Sequence, residues 1–244
     1  MTPKVSIIVT SYNKSGLLPQ ALQSILNQSF EDWQCLIVDD NSTDGAWDVA
    51  QHFVALDPRM AARQTDLDPS NHDITLNRYA HCINLGLAVC DTPYITYLCD
   101  DDLYMPQRLE QMAGYLDLHP EVHAVYGMQA LKTLDAAGAE MEDNGVRSGP
   151  AICKDAAMVV DTSSVMHRRE CYEKVGGWPE DPAGWRVGDA FYWRKLNEHW
   201  PFYRIDHVTD IHRFNPRSVS YKIDHKLPLR DTKYASLFEN RSGW

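Results

Sequence analysis

Two hydrophobic periods alternate along the first hundred residues. Val5 to Thr10 is a short β-branched run that stops at Ser11-Tyr12-Asn13, and Cys35 to Val38 is a second that stops at Asp39-Asp40-Asn41. A third run, Tyr94 to Leu98, leads into Asp100-Asp101-Asp102. Helical spacing fills the gaps. Leu17, Leu18, Ala21, Leu22, Ile25 and Leu26 form one apolar face, Trp47, Val49, Ala50, Phe53 and Val54 a second, and Tyr79 to Val89 a third. Strands that are apolar on both sides, alternating with helices, predict an α/β fold with a mostly parallel sheet covered on both faces. Such open sheets bind ligands beyond the carboxyl ends of their strands. The three polar strand ends are therefore expected to converge on one crevice.

The second half reads as a smaller mixed region. Pro106 fits the first turn of a helix reaching Leu116, Val122 to Tyr126 a strand, Asp189 to His199 a helix, and Phe202 to Ile205 a short strand. Residues 135–156, rich in Ala, Gly, Asp and Glu, predict a hairpin or excursion loop. From Ile211 the chain turns polar and reads as a tail or lid.

Composition narrows the class. At 244 residues the chain is one large domain or two small ones, with enough apolar residues (44%) to build a core without staples. A net charge of −11 argues against nonspecific binding to nucleic acid or anionic lipid. Phosphates remain possible ligands through a metal ion and a few local cations. The six cysteines are scattered without a C-x-x-C pair and predict reduced thiols in a cytoplasmic protein. No apolar run approaches 18 residues, so neither a membrane span nor a signal peptide is expected.

The acidic strand ends carry the candidate chemistry. Three adjacent carboxylates repel one another unless a cation or solvent relieves them. Asp100-Asp101-Asp102 is thus either a station for Mg²⁺ or Mn²⁺ with substrate phosphates or a solvated turn ahead of the helix near Pro106. Asp39 and Asp40 can accept the imide N–H of a pyrimidine or serve an Asx turn with Ser42, Thr43 and Asp44. Thr10, Ser11 and Tyr12 offer hydroxyls and an aromatic face to a ribose and base. Asp189, after Gly188 and opening a helix, is a cap or a general base for an acceptor hydroxyl; Asp161 is a candidate for acceptor binding. His212, beside Arg213 and Arg217, is a surface residue or part of a lid and candidate metal ligand. The ten histidines lack zinc-site spacing, and no G-x-S-x-G, P-loop or G-x-G-x-x-G occurs.

Several ordered blocks resemble the family 2 glycosyltransferases of the GT-A fold. They begin with Pro3-Lys4-Val5-Ser6-Ile7-Ile8-Val9-Thr10-Ser11-Tyr12-Asn13-Lys14 and Ile37-Val38-Asp39-Asp40-Asn41-Ser42. The likeness sharpens toward the spore-coat polysaccharide branch at Tyr94-Ile95-Thr96-Tyr97-Leu98-Cys99-Asp100-Asp101-Asp102-Leu103-Tyr104-Met105-Pro106. Arg78-Tyr79-Ala80, Ser164 to Arg168 and Val187-Gly188-Asp189-Ala190 through Tyr203 continue it, so that residues 3–210 are covered.

The resemblance implies a single GT-A domain over 1–244: a nucleotide-sugar half (1–104), an acceptor half (105–210) and a tail or lid (211–244). It implies an inverting transferase that moves a sugar from a UDP- or dTDP-sugar to a hydroxyl of a glycan or other acceptor, in surface polysaccharide synthesis, using Mn²⁺ or Mg²⁺. Carried over by position, Thr10, Tyr12 and Asp40 hold the nucleoside with Ser11, Asp39 and Arg78 adjacent. Asp100 approaches the ribose, Asp101 binds the metal with Asp102 and His212 as further candidates, and Asp189 is the base. Two departures stand out. Cys99 replaces the first Asp of the common Asp-x-Asp-Asp pattern, and Asp73 stands where the branch carries a nucleotide-binding Arg, leaving Arg63, Arg78, Arg213 and Arg217 as possible substitutes. Two other readings share these features: a sugar-phosphate nucleotidyltransferase, whose usual Gly-rich basic loop is missing, and a nucleotide-binding subunit without transfer.

Overall fold

The computed structural model describes residues 3–68, 76–135, 137–157, 159–184, 187–218, 221–222 and 225–226. Among the described residues, ten strands form one mixed sheet, and six α-helices pack on it. The first four strands are β1 (Val5–Ser11), β2 (Trp33–Asp39), β3 (Met60–Gln64) and β4 (Tyr94–Cys99). They lie parallel in the order β3-β2-β1-β4. The chain steps outward from β1 to β3 and then returns to the other side of β1. That reversal makes the ends of β1 and β4 a topological switch point, the position where open sheets of this kind take ligands.

The second half extends the sheet with β5 (Leu103–Tyr104), β6 (Ala124–Leu134), β7 (Glu140–Arg147), β8 (Ile152–Cys153), β9 (Val165–Arg168) and β10 (Phe202–Phe214). Antiparallel β9 joins β4 to β6, and β6 runs parallel to β10. Beyond β9, the far half of β6 pairs with β7 as a hairpin.

Alternation along the strands assigns the helices to faces. Ile7, Val9, Ile37 and Leu98 point to one layer, where α1 (Leu18–Leu26), α2 (Ala46–Leu56) and α4 (Arg108–Leu118) bury Leu22, Ile25, Phe53 and Met112. Ile8, Ile95 and Tyr97 point to the other layer. It holds α3 (Arg78–Leu87), α5 (Arg169–Val175) and α6 (Gly188–Asn197), with Ile83, Cys171 and Trp193 buried. Helix α3 lies so close to β1 that a Cβ on Gly86 would stand 2.7 Å from Ile8. At full burial each of these large side chains contributes roughly 1.5–3 kcal/mol.

Several sequence boundaries move. Strand β3 escapes the pattern because it is the sheet edge, paired only with β2, and its Ala61, Arg63 and Gln64 are exposed. The strand expected to end at Tyr126 continues to Leu134, because the β7 hairpin and β10 supply partners for its polar second half. Helix α4 begins at Arg108, leaving Pro106 ahead of it. The boundary drawn before Ile211 falls inside β10. Residues 211–214 are strand paired with β6, and Arg213 is 2% exposed, so a tail can only begin after Phe214. The 135–156 stretch contains β7 and β8. All six cysteines are free thiols, and no helix among the described residues is long and apolar enough to cross a membrane.

Candidate functional site

At the end of β2 the two adjacent carboxylates face different tasks. Asp39 is fully buried and turned into its own loop, accepting from the Ser42 amide (2.9 Å), the Ser42 hydroxyl (2.5 Å) and Gln64 Nε2 (3.2 Å). Asp40 points across the sheet end. Its amide donates to the Ser11 carbonyl (2.9 Å), and Arg78, the first residue of α3, donates to both carboxylate oxygens at 2.6 Å. Thr65 adds a third hydrogen bond at 3.0 Å. Asn77 positions Arg78 by capping α3, its side chain accepting from Ala80 N. A carboxylate beside a guanidinium presents an acceptor and a donor side by side, the complement of a uracil or thymine edge. Tyr12, 39% exposed, stands near Arg78. Asp73 lies outside the described residues; Arg78 is a cation that reaches Asp40.

The three carboxylates after β4 diverge. Asp100 accepts from the Tyr12 amide (2.9 Å), which ties the ends of β1 and β4 together. Burial pushes Asp100 up to about 7, although the nearby Lys14 ammonium pulls against it. Asp101 is paired with Lys14, while its carbonyl accepts from Arg213 Nε. Asp102 turns inward, accepting from the Ser163 hydroxyl (2.7 Å) and the Arg213 amide (3.0 Å), and lies 3.3 Å from His212 Nδ1. Cys99 is no substitute acid: its sulfur sits 3.4 Å from the Tyr79 hydroxyl, and burial pushes the thiol well up.

His212 and Asp102 are joined by Asp161, an expected acceptor residue. The three ligand atoms lie within 4.8 Å of one another. Two carboxylate oxygens and one imidazole nitrogen form a donor set suited to Mn²⁺ and tolerable to Mg²⁺. Burial works against a charged imidazole, yet Asp102 and Asp161 outweigh it and push His212 up to about 10. The group thus demands a positive charge, which a proton or a dication can satisfy. Asp101, the ligand expected first, stands outside this trio. Asp161 caps the 3-10 turn Thr162–Ser164, accepting from Ser163 N at 3.1 Å, and meets Arg147 of β7 at 3.4 Å. Burial would raise its carboxyl, but His212 and Arg147 hold it below the usual range.

Asp189 occupies the first turn of α6, where its Oδ1 accepts from Ala190 N at 2.8 Å. Burial and the Asp161 charge push it up to about 7. The proton affinities of Asp161 and Asp189 are thus driven in opposite directions. The helix-cap reading is not what is seen, since Val187 is the N-cap.

Sequence reasoning assigned no role to Lys14, Arg147, Gln129 or Asp210. Gln129 donates to Asp210 and accepts from Arg147 Nε (3.0 Å), linking β6, β7 and β10 behind Asp161. Burial pushes Asp210 up to about 7. Lys14 was visible as a lone cation directly after a strand end; the other three have no local signal.

Comparison with known proteins bears on the family and the fold. The family profile "Glycosyl transferase family 2" matches residues 6–133, just over half of the chain. The protein CgeD of Bacillus subtilis (strain 168) is 37% identical over 86% of this chain and 50% of its own length, so the chain spans half of that relative. TuaG of the same organism, named for teichuronic acid biosynthesis, is 30% identical over 47% of this chain and 42% of its own. Among solved structures, S. aureus TarS 1-349 in complex with UDP-GlcNAc has a TM-score of 0.63 at 15% identity, covering 86% of this chain and 58% of that one. The mannosyltransferase PcManGT from Pyrobaculum calidifontis, in complex with GDP-Man and Mn²⁺, gives 0.64 at 15%, covering all of this chain and 66% of that one. At such identities the structural likeness is one of fold.

Proposed function

The chain belongs to glycosyl transferase family 2 and has the GT-A fold, and from that premise we propose that it is an inverting, metal-dependent transferase. It moves a sugar from a UDP- or dTDP-sugar to an acceptor hydroxyl, in polysaccharide synthesis. The observation that carries the reading is the joining of β1 and β4 through Tyr12 and Asp100, with Asp40 and Arg78 on one side and Asp101, Asp102, Asp161 and His212 on the other. A base on the first group leaves its diphosphate near the second.

Asp40 accepts a pyrimidine imide N–H while Arg78 donates to the adjacent carbonyl, and Tyr12 covers the ring. Asp102, Asp161 and His212 would hold the Mn²⁺ or Mg²⁺, with Asp101 beside them. The metal, when bound, supplies positive charge to the leaving diphosphate. Asp189, raised to about 7, takes the acceptor proton as its oxygen attacks the anomeric carbon opposite the leaving group. Asp161, kept ionised by Arg147 and by the positive charge at His212 or at a bound dication, orients the acceptor side. Fixing both substrates in line lowers the barrier by position as well as charge. The complexes named for the two structural neighbours, with UDP-GlcNAc in one and GDP-Man with Mn²⁺ in the other, support a nucleotide-sugar donor.

A donor screen tests the reading: UDP-, dTDP- and GDP-sugars, each with and without Mn²⁺, following release of nucleoside diphosphate. Release from uracil or thymine donors that depends on Mn²⁺ is expected. Release of pyrophosphate from an NTP instead, or binding without turnover, overturns it.

A further inference from the structure

The loop after β1 carries a cation into the acid cluster. Lys14 pairs with Asp101 and lies 3.7 Å from Asp100 Oδ1. Its own carbonyl accepts from the Leu17 and Leu18 amides, both at 2.9 Å, so its backbone is fastened to the start of α1. The side chain is less constrained. It is 22% exposed, and Lys14 lines an open pocket of about 390 Å³ with Asn13, Ser15, Asp44 and Arg217. Lys14 thus borders both the carboxylates and an open pocket. Burial disfavours the charge, but Asp100 and Asp101 outweigh it and hold the lysine well above its usual range.

A lysine ammonium is a compact point charge on a four-carbon stem, able to change partners without moving the backbone. Asp101 is also the carboxylate nearest in sequence to the trio suited to a dication. We propose that Lys14 is an exchangeable counter-ion of the donor site: it neutralises Asp101 in the donor-free chain and transfers its charge to the donor's diphosphate when that arrives. This rests on the donor-site reading above. It adds a positive charge that opposes the divalent cation before binding and assists the nucleotide afterwards. The exchange keeps the site near charge balance at both stages, which avoids leaving several half-buried carboxylates uncompensated.

Titration calorimetry on the 244-residue chain and its Lys14→Met variant tests the proposal, with MnCl₂ alone in one arm and UDP in EDTA in the other. Loss of one charge-assisted contact predicts UDP binding weaker by about tenfold, and removal of the opposing charge predicts Mn²⁺ binding tighter by about tenfold. Lys14→Gln, a second neutral variant, gives the same pair of opposite shifts, and Lys14→Arg leaves both within about threefold of the parent. A purely structural lysine moves both affinities together. Parallel weakening, or no change in either, overturns the exchange and leaves the donor site standing. A parent chain that binds neither UDP nor Mn²⁺ overturns the donor-site reading, and the exchange with it.

Discussion

Asp40 and Asp189 are both acids beyond the sheet, yet they are equipped for opposite work. Asp40, on the parallel half built from β1 to β4, is gripped by Arg78 through two hydrogen bonds and by Thr65 through a third. Asp189, on the mixed half, accepts from the Ala190 amide beside it and lies in the field of Asp161. A carboxylate held by a guanidinium is fixed in place for recognition; a buried one beside another acid gains a proton near neutrality and can exchange it. Under the proposed function, recognition and proton transfer fall to two regions, with the Asp102–Asp161–His212 trio between them.

The sharpest way to break that division is Asp189→Asn. Turnover should fall by about 10³-fold, within the range of a lost general base, with UDP and Mn²⁺ affinities nearly unchanged. In the parent, transfer should climb with pH and level off above about 7, as Asp189 loses its proton, and the variant's residual rate should lack this limb. Near-normal transfer by the variant removes Asp189 from the base role.

His212→Ala probes the border. It removes one of three donor atoms, and Mn²⁺ affinity measured by calorimetry should drop on the order of 100-fold. An unchanged affinity places the metal elsewhere. Arg78→Met strips the recognition side. UDP should bind about tenfold more weakly, and its preference over CDP should shrink, because a donor to the base carbonyl is gone.

The smallest expected effect is on stability. Burial raises Asp210 to about 7, so the folded chain binds this proton more tightly than the unfolded one. Its stabilising share is full in acid and is lost as pH rises through about 7. Asp210→Asn should therefore be more stable than the parent by about 1 kcal/mol at pH 8, with the advantage fading toward pH 5, as read from urea midpoints. A constant difference across that range assigns Asp210 a fixed charge.

The parallel half was the more legible. Runs such as Val5 to Thr10 and Tyr94 to Leu98 are buried on both faces, so their composition alone marks them as strands, and the polar residues that end them had to gather at one edge. The mixed half hid its strands. The far part of β6 is half polar because β7 and β10 satisfy its backbone, and β10 carries His212 and Arg213 inward against acids far away in sequence. Pairing of that kind leaves no trace in local periodicity.

Local composition was thus enough to declare the α/β layering and the acids at the strand ends, since apolar runs and their polar stops are written residue by residue. Which acid meets which cation was settled by packing. Asp101 against Lys14, Asp40 against Arg78 and Asp102 against His212 join positions separated by dozens of residues, and Coulomb interaction depends on distance in space, whatever the distance along the chain.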